Sequence, residues 1–321
     1  MTGFVEATLL AAALLAAVVW LGVVVLAPKM PLFPATSPLA RIILARAWLY
    51  APVWVPTLVL FATMVPGLTG AVMGKGDHCE FLMAHHHHLC LLHPPHSSNH
   101  LLTWMVPTLL GIWVVMPLAR GVRRAWQQWR LAHSLLSVSE KSQLGADVRV
   151  LEDPTPLAVT VGWTKPTILL SRGLLSSASA QTLNVILLHE RAHMYRHDIR
   201  WAMVDQFFAN LLPTKVAASL LQQIGIAREQ ACDRAAADRV GDAMVVANAL
   251  LEVARLRFLS LNTGLSIVSG SLEQRVRHLV QRPSRCANWP IFMLFFLIVC
   301  VLAGAGVIHT LVESAITLLI H

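Results

Sequence analysis

Charge is what this sequence has least of. Only 13% of its 321 residues are Asp, Glu, Lys or Arg, against 56% hydrophobic, and the mean hydropathy is positive. Ordinary soluble domains carry about 25% charge. A plain soluble globule is therefore excluded, and a membrane protein with a sizeable polar part remains. Cysteine is also scarce, and five residues offer no disulfide framework. Cys232 and Cys286 fall in a polar segment assigned below to the cytosol, and Cys300 falls in an apolar run. Only Cys79 and Cys90 can meet an oxidising compartment, where one bridge and metal binding fit equally. No internal repeat is present. The N-terminus lacks the basic n-region of a signal peptide: Glu6 stands there, and the apolar run is too long for an h-region. That run is expected to be a retained span.

Four stretches carry almost no charge: 4–27, with Glu6 alone, and 47–73, 101–119 and 289–308, with none. Each reaches the roughly 20 residues that a helix needs to cross about 30 Å of hydrocarbon. Pro52, Pro56, Pro66, Pro107 and Pro117 would weaken soluble helices, but neighbouring helices in a membrane re-satisfy the freed carbonyls. The expected plan is three transmembrane helices in 1–119 with an outer loop at 74–100, a cytoplasmic domain at 120–288, and a fourth span with a short outer tail at 289–321. Basic residues set the orientation. Lys29, Arg41 and Arg46 precede the second span without an acid, whereas Lys75 faces Asp77 and Glu80 in the next loop. Positions 120–290 hold 21 basic and 13 acidic residues, an excess equal to the whole formal charge of +8. By the positive-inside rule this segment lies in the cytoplasm and both termini lie outside. Such an excess can mark nucleic-acid binding. Here Arg120, Arg123, Arg124, Arg282 and Arg285 flank spans, so membrane lipid accounts for them and no direct nucleic-acid partner is expected.

Within the long segment, 120–136 reads as a helix continuing from the third span. Short β-branched runs follow at 148–151, 157–161 and 167–170, divided by Pro154, Pro156, Gly162 and Pro166, which points to a small sheet. Ser179 can cap a helix over 180–196, Pro213 ends another over 198–212, and further helices are expected near 216–240, 243–260 and 271–281. The fold class is therefore membrane α-helical, with a mostly helical α+β domain carrying a small sheet, which the motif described next makes one of zincin type.

The helix expected over 180–196 ends in the stretch "LLHERAHMYRHD", residues 187–198. His189 and His193 fall one turn apart on one helical face, so both imidazoles can reach one ion. Glu190, one position round, faces a metal-activated water rather than the metal. This H-E-x-x-H pattern lets Zn²⁺ lower the pKa of water toward 7 while the glutamate takes the proton. A catalytic zinc wants a third protein ligand and an open fourth position. Downstream, "AREQACDRAAAD" supplies Glu229 as that ligand, with Asp233 one turn on to accept the other N–H of an imidazole. A solvated face paired with Arg228, Arg234 and Arg239 is the plainer reading of those acids when they are taken alone. Cys232 reads as a small buried residue.

"HERAHMYRHD", followed by "REQACD" and preceded by "PLAVTVGWTKPTILLSRGLL", resembles the membrane-embedded zinc metallopeptidases of the BlaR/MecR antirepressor type, and is more distantly similar to HtpX-like membrane proteases. The resemblance covers about 148–280. It implies His189, His193 and Glu229 as ligands, Glu190 as base, Asp233 and Asp198 as supporting residues, and one catalytic Zn²⁺. It also implies a substrate chain added as a strand along 157–162. Site-2 proteases share H-E-x-x-H but carry it inside a spanning helix. Here the apolar run before His189 is only 185–188, and Arg191, Arg196, Asp198 and Arg200 follow, so that class is excluded. Tyr195 and His197 are turned away from the histidine face, which leaves Arg275 and His278 as alternatives for oxyanion stabilisation.

Antirepressors that sense β-lactams carry a penicillin-binding domain after the fourth span. Only 309–321 follows here, so that sensor is expected to be absent. The outer loop offers another input. His78, Cys79, His85, His86, His87, His88, Cys90, His93, His96 and His100 crowd into 78–100, a donor set suited to Cu, Zn or Ni. The expected protein is a zinc metalloendopeptidase of the bacterial inner membrane with its site facing the cytoplasm. Its expected substrate is a protein, specifically a cytoplasmic repressor cleaved in a metal-responsive signal. Constitutive quality control of membrane proteins and a non-catalytic metal-binding role are the alternatives.

Overall fold

The computed structural model describes residues 2–29, 37–72, 100–261, 266–281 and 289–304, together with 307 and 311. Two long apolar helices come first, α1 (Thr2–Leu26) and α2 (Pro38–Val72), and then α3 (His100–Ser137). A four-stranded sheet follows: β1 (Glu140–Lys141), β2 (Val148–Leu151), β3 (Ala158–Val161) and β4 (Thr167–Ser171). The helices α4 (Arg172–Ser177), α5 (Ala180–Tyr195), α6 (Asp198–Ala209), α7 (Thr214–Val240), α8 (Ala243–Leu261), α9 (Ser266–Val280) and α10 (Trp289–Ala303) complete the described chain. The protein is mostly helical with one small mixed sheet.

Among the described residues, two helical stretches can cross a bilayer by length and composition, Ala11–Lys29 and Pro38–Thr63, and Ile291–Ala303 is a shorter apolar helix. Phe292, Phe295 and Phe296 of α10 and Val18 and Leu21 of α1 project exposed apolar surface, the chemistry expected of a lipid-facing wall. The second apolar run is embedded in a longer helix than its composition indicates. α2 begins at Pro38, so Arg41 and Arg46 sit on the helix rather than in a loop before it. Pro38 occupies the first helical position, where its missing N–H costs no hydrogen bond. α3 runs without a break from the third apolar stretch into its polar continuation.

Strand order is β1-β2-β4-β3, with β2 parallel to β4 and both outer pairs antiparallel. β4 is central, which is why Ile168, Leu169 and Leu170 are 0% exposed and read as a continuous apolar run rather than an alternating one. β3 is paired on one side only among the described residues, and it packs against α5. Two glycines make the sheet connections possible. Gly162 turns the β3–β4 hairpin with φ +86°, a region closed to most side chains. At Gly173 a Cβ would fall 1.9 Å from the Pro154 carbonyl oxygen.

The polar segment does not fold apart from the apolar helices. One core joins Val23 and Ala27 of the first helix and its end, Ala45, Leu49 and Ala51 of α2, and Val216, Leu220 and Ile224 of α7. Trp20 Nε1 donates to the Leu211 carbonyl at 2.7 Å. Arg46 holds the buried Asp205 of α6 through two hydrogen bonds of 2.8 and 2.9 Å, and Tyr50 donates to the same carboxylate. Side chains from both sides of position 120 thus share one core.

Candidate active site

The motif helix is fixed at both ends and along its length. Ser179 caps α5 by accepting from the Thr182 N–H at 3.2 Å. Glu252 of α8 reinforces that cap, accepting from Ser179 N at 2.8 Å and from Thr182 Oγ1 at 2.7 Å. Val185, Ile186 and Leu187 are buried against the sheet and α8. Arg191 forks onto Asp147 beside β2 at 2.9 and 3.1 Å. At the C-terminus His197 adopts φ 55°, the left-handed conformation that ends helices. The reversal starts α6 at Asp198 and returns its carboxylate to His193 one turn back.

Three side chains converge on one point. His189 Nε2 and His193 Nε2 lie 3.1 Å apart. Glu229 of α7 spans both, with one carboxylate oxygen 3.4 Å from His189 Nε2 and the other 3.5 Å from His193 Nε2. The opposite ring nitrogens are paired with carboxylates: His189 Nδ1 with Asp233 at 2.9 Å and His193 Nδ1 with Asp198 at 2.8 Å. His193 Nδ1 is thus hydrogen-bonded to a carboxylate and His189 Nδ1 stands at ion-pair distance from one, without an aligned hydrogen bond, so both Nε2 atoms are left to face the Glu229 carboxylate. Three acceptors with no donor between them repel one another unless a cation lies among them. The spacings are close to the edge of about 3.4 Å expected of a tetrahedron with bonds of about 2.1 Å. A divalent metal of zinc type fits this donor set.

Residues 100–279, more than half of the chain, match the family described as BlaR1 peptidase M56. The chain belongs to that family. It is a membrane-associated metallopeptidase. Comparison with curated proteins yields no match.

The electrostatics of this M56 peptidase favour positive charge at the same point. Burial alone would lower the His189 pKa, yet the Asp233 and Glu229 carboxylates hold it up to about 9. Burial would likewise raise Glu229, but the His189 imidazole and then Arg275 bring it down to about 2. A proton and a metal ion would compete for this one place, so acid should oppose metal binding.

Glu190 is buried and lines a cavity of about 470 Å³ that opens beside the two histidines. Its Oε2 accepts from Thr160 Oγ1 of β3 at 2.7 Å. Sequence patterning does not single out Thr160; the only signal there is its position in the strand expected to receive substrate. The structure places the residues considered for oxyanion stabilisation as follows. Arg275 lines the cavity but is committed to carboxylates, forking onto Asp233 at 2.8 and 2.7 Å and reaching Glu229 at 3.2 Å. His278 does not line the cavity. Tyr195 points to solvent, 83% exposed.

Two of the arginines considered as partners for Glu229 and Asp233 are placed elsewhere. Arg234 pairs with Asp238 at 3.3 Å, and Arg228 reaches the backbone carbonyl of Asp198 at 3.3 Å. Cys232 is fully buried, as its size suggests, but its Sγ also lies 3.4 Å from His193 Nδ1 and 3.5 Å from Asp198 Oδ2. Burial first, then the Asp198 charge, pushes this thiol well above its ordinary pKa. It therefore acts as a donor that helps hold Asp198. His193, Asp198 and Cys232 form a second donor triad, but it uses the nitrogen turned away from Glu229 and draws on two fully or nearly buried residues. Of the outer-loop residues, His78, Cys79, His85, His86, His87, His88, Cys90, His93 and His96 lie outside the described residues, and His100 is the first residue of α3.

Proposed function

We propose that this M56 peptidase is a zinc endopeptidase in which His189, His193 and Glu229 hold the metal and Glu190 is the general base. The observation that carries this reading is the convergence of two imidazole nitrogens and both oxygens of one carboxylate within 3.1–3.5 Å. Zinc bound there supplies Lewis acidity toward a water molecule and a peptide carbonyl. Glu190 takes the proton from the attacking water and passes it to the leaving amine. Asp233 and Asp198 fix the histidine tautomers so that both Nε2 atoms remain ligands. Thr160 holds the Glu190 carboxylate in one orientation. The one-sided pairing of β3 supports a substrate bound as an added strand, whose backbone would pass beside Glu190.

The same reading puts the protein in the bacterial inner membrane with four spans and a cytoplasmic active site. The run of basic residues through 120–290 and the apolar, exposed faces of α1 and α10 support it. Its role is cleavage of a cytoplasmic repressor in response to an outside signal, with metal ions at the 78–100 loop as the input. The core shared by α1, α2 and α7 supports such coupling, because displacement of the apolar helices cannot leave the Glu229 helix unmoved.

Glu190→Gln tests the chemistry. The variant is expected to bind one zinc per chain and to lose peptide cleavage. Cleavage at the parental rate by that variant would overturn the mechanism. Replacing His85, His86, His87 and His88 with Ala tests the input: metal-induced repressor loss should be blunted, and an unchanged response would remove the sensor role.

A further inference from the structure

A second cavity lies behind the metal site, between α2 and the peptidase helices, with a volume of about 300 Å³. Asp198 and Arg228 line both cavities and so form the wall between them. Three guanidinium groups meet in it: Arg46, Arg196 and Arg228. Their charges are unequally answered. Arg46 is neutralised by Asp205 at 2.8 Å and lies over the Trp201 ring at 4.5 Å. Arg228 Nη1 donates to a neutral carbonyl at 3.3 Å. Arg196 lies 3.6 Å from Asp198 Oδ2, too far for a hydrogen bond, and that oxygen is already taken by His193 at 2.8 Å. The Arg196 Nε–H is buried and has no hydrogen-bond partner among the described residues. A buried donor on a charged group that is left unsatisfied has lost its hydration without compensation. The cavity therefore has one more positive charge than its carboxylates answer, and a specific donor awaiting an acceptor.

The other wall is apolar. Leu39, Ile42 and Ile43, from the first turns of α2, line it. These residues stand at the end of an apolar helix where Arg41 and Arg46 also sit, the level at which lipid headgroups meet a membrane helix. Guanidinium forks match phosphate oxygens closely, and an aliphatic wall beside them suits the glycerol and acyl end of a phospholipid.

We propose that this cavity binds a phosphate group, supplied by an anionic phospholipid of the adjoining leaflet or by free phosphate. Arg196 and Arg228 are its principal contacts. Because Arg228 and Asp198 are shared with the metal cavity, occupancy would let the membrane surface bear on the residue that orients His193. The inference does not depend on Glu190 being the base, and its test reads binding rather than cleavage.

The full chain would be placed in nanodiscs of phosphatidylcholine alone or mixed with phosphatidylglycerol, and retained lipid counted by native mass spectrometry. The expected result is one phosphatidylglycerol held per chain in preference to phosphatidylcholine. Retention should fall about tenfold in Arg196→Gln/Arg228→Gln, the loss of a single charge-assisted hydrogen bond being enough for that change. Arg255→Gln, an exposed arginine on α8, should retain lipid as the parent does. In a second arm, thermal unfolding in phosphatidylcholine nanodiscs would be followed with inorganic phosphate or with sodium chloride at equal ionic strength. A rise in Tm specific to phosphate assigns the site to the free ion; preference for phosphatidylglycerol assigns it to lipid. Should the double variant not fold, Arg196→Gln alone and the two parental arms still decide. The proposal is overturned if neither phosphate source is preferred over its control, or if the preference survives loss of the arginines.

Discussion

Thr160 Oγ1 donates to Glu190 Oε2 at 2.7 Å, so the edge strand of the sheet holds the acidic residue of the motif helix. Without this bond the carboxylate would be free to rotate away from the attacking water, and orientation governs a reaction that needs near-attack geometry. Thr160→Val, which preserves shape, should therefore lower kcat about tenfold or somewhat more, as the loss of a hydrogen bond to a charged group worth roughly 1.5–3 kcal/mol requires. KM and zinc content should stay near parental values. Thr160→Ser should restore the rate. Steady-state kinetics with metal analysis checks this, and a Val variant at full kcat would remove Thr160 from the mechanism.

Arg275 binds Asp233 through two nitrogens and reaches Glu229 with a third. From α9 it thus ties a metal-facing carboxylate to the partner of His189. Arg275→Met would leave Asp233 buried with one partner fewer, and breaking a buried pair costs about 3–5 kcal/mol. We expect a lower Tm and a metal affinity reduced about 10- to 100-fold, the range typical of lost outer-shell partners. Arg275→Lys should fall between, because an ammonium cannot fork across both carboxylates. Zinc competition with a chromogenic chelator measures the affinity. Unchanged affinity in the Met variant would show that Asp233 keeps its place unaided.

What the sequence makes legible, and what it hides, divides along physical lines. Helical spacing suffices to put His189 and His193 on one face, and Ser179 announces the cap of their helix, because both are local properties of a few residues. Glu229 and Asp233 are legible for the same reason, each one turn from the other on α7. Thr160 and the carboxylate role of Arg275 are not, since they depend on which elements pack together over separations of 30 and 42 residues. Charge hides the start of α2: Arg41 and Arg46 read as loop residues until Gln230 and Asp205 supply buried partners for them. β1 is invisible because Glu140 and Lys141 carry no apolar pattern and pair only at the sheet's rim. α4 is a six-residue helix set by Gly173 and the Ser171 cap, too short for periodicity to reveal.

Gly173, in the helix that follows β4, should be among the least replaceable positions beside the sheet. Its N–H donates to the Asp153 carbonyl at 2.9 Å, and an added Cβ would sit 1.9 Å from the Pro154 oxygen, which is backbone and cannot swing aside. Gly173→Ala must therefore push β4 and α4 away from the 152–156 turn, at a cost near the upper end of overpacking, about 3 kcal/mol. Gly241 is the control. It ends α7 with φ +82° but has open space around it, so Gly241→Ala carries only the left-handed backbone cost of about 1–2 kcal/mol. Unfolding midpoints in detergent should rank parent, Gly241→Ala, Gly173→Ala in decreasing order. Equal midpoints for the two variants would mean that the turn at 152–156 yields without cost.

Glu252 connects α8 to the start of the motif helix, and its carboxylate is held below the usual glutamate range, chiefly by the Ser179 backbone N–H and then by the Thr182 hydroxyl. A carboxyl whose folded pKa is depressed adds stability that is fully present above its unfolded value, about 4.3. That contribution fades as pH falls through the folded value, because the proton then binds both states alike. Glu252→Gln should consequently be less stable than the parent at neutral pH, and the gap should close in acid. Acid also releases metal from the histidines, but parent and variant share that site, so it cancels in their difference. Denaturant midpoints for both proteins from neutral pH down to the carboxylate range measure the effect. A gap that stays constant with pH would mean that Glu252 acts through packing, and that Ser179 alone suffices to cap the helix carrying His189 and His193.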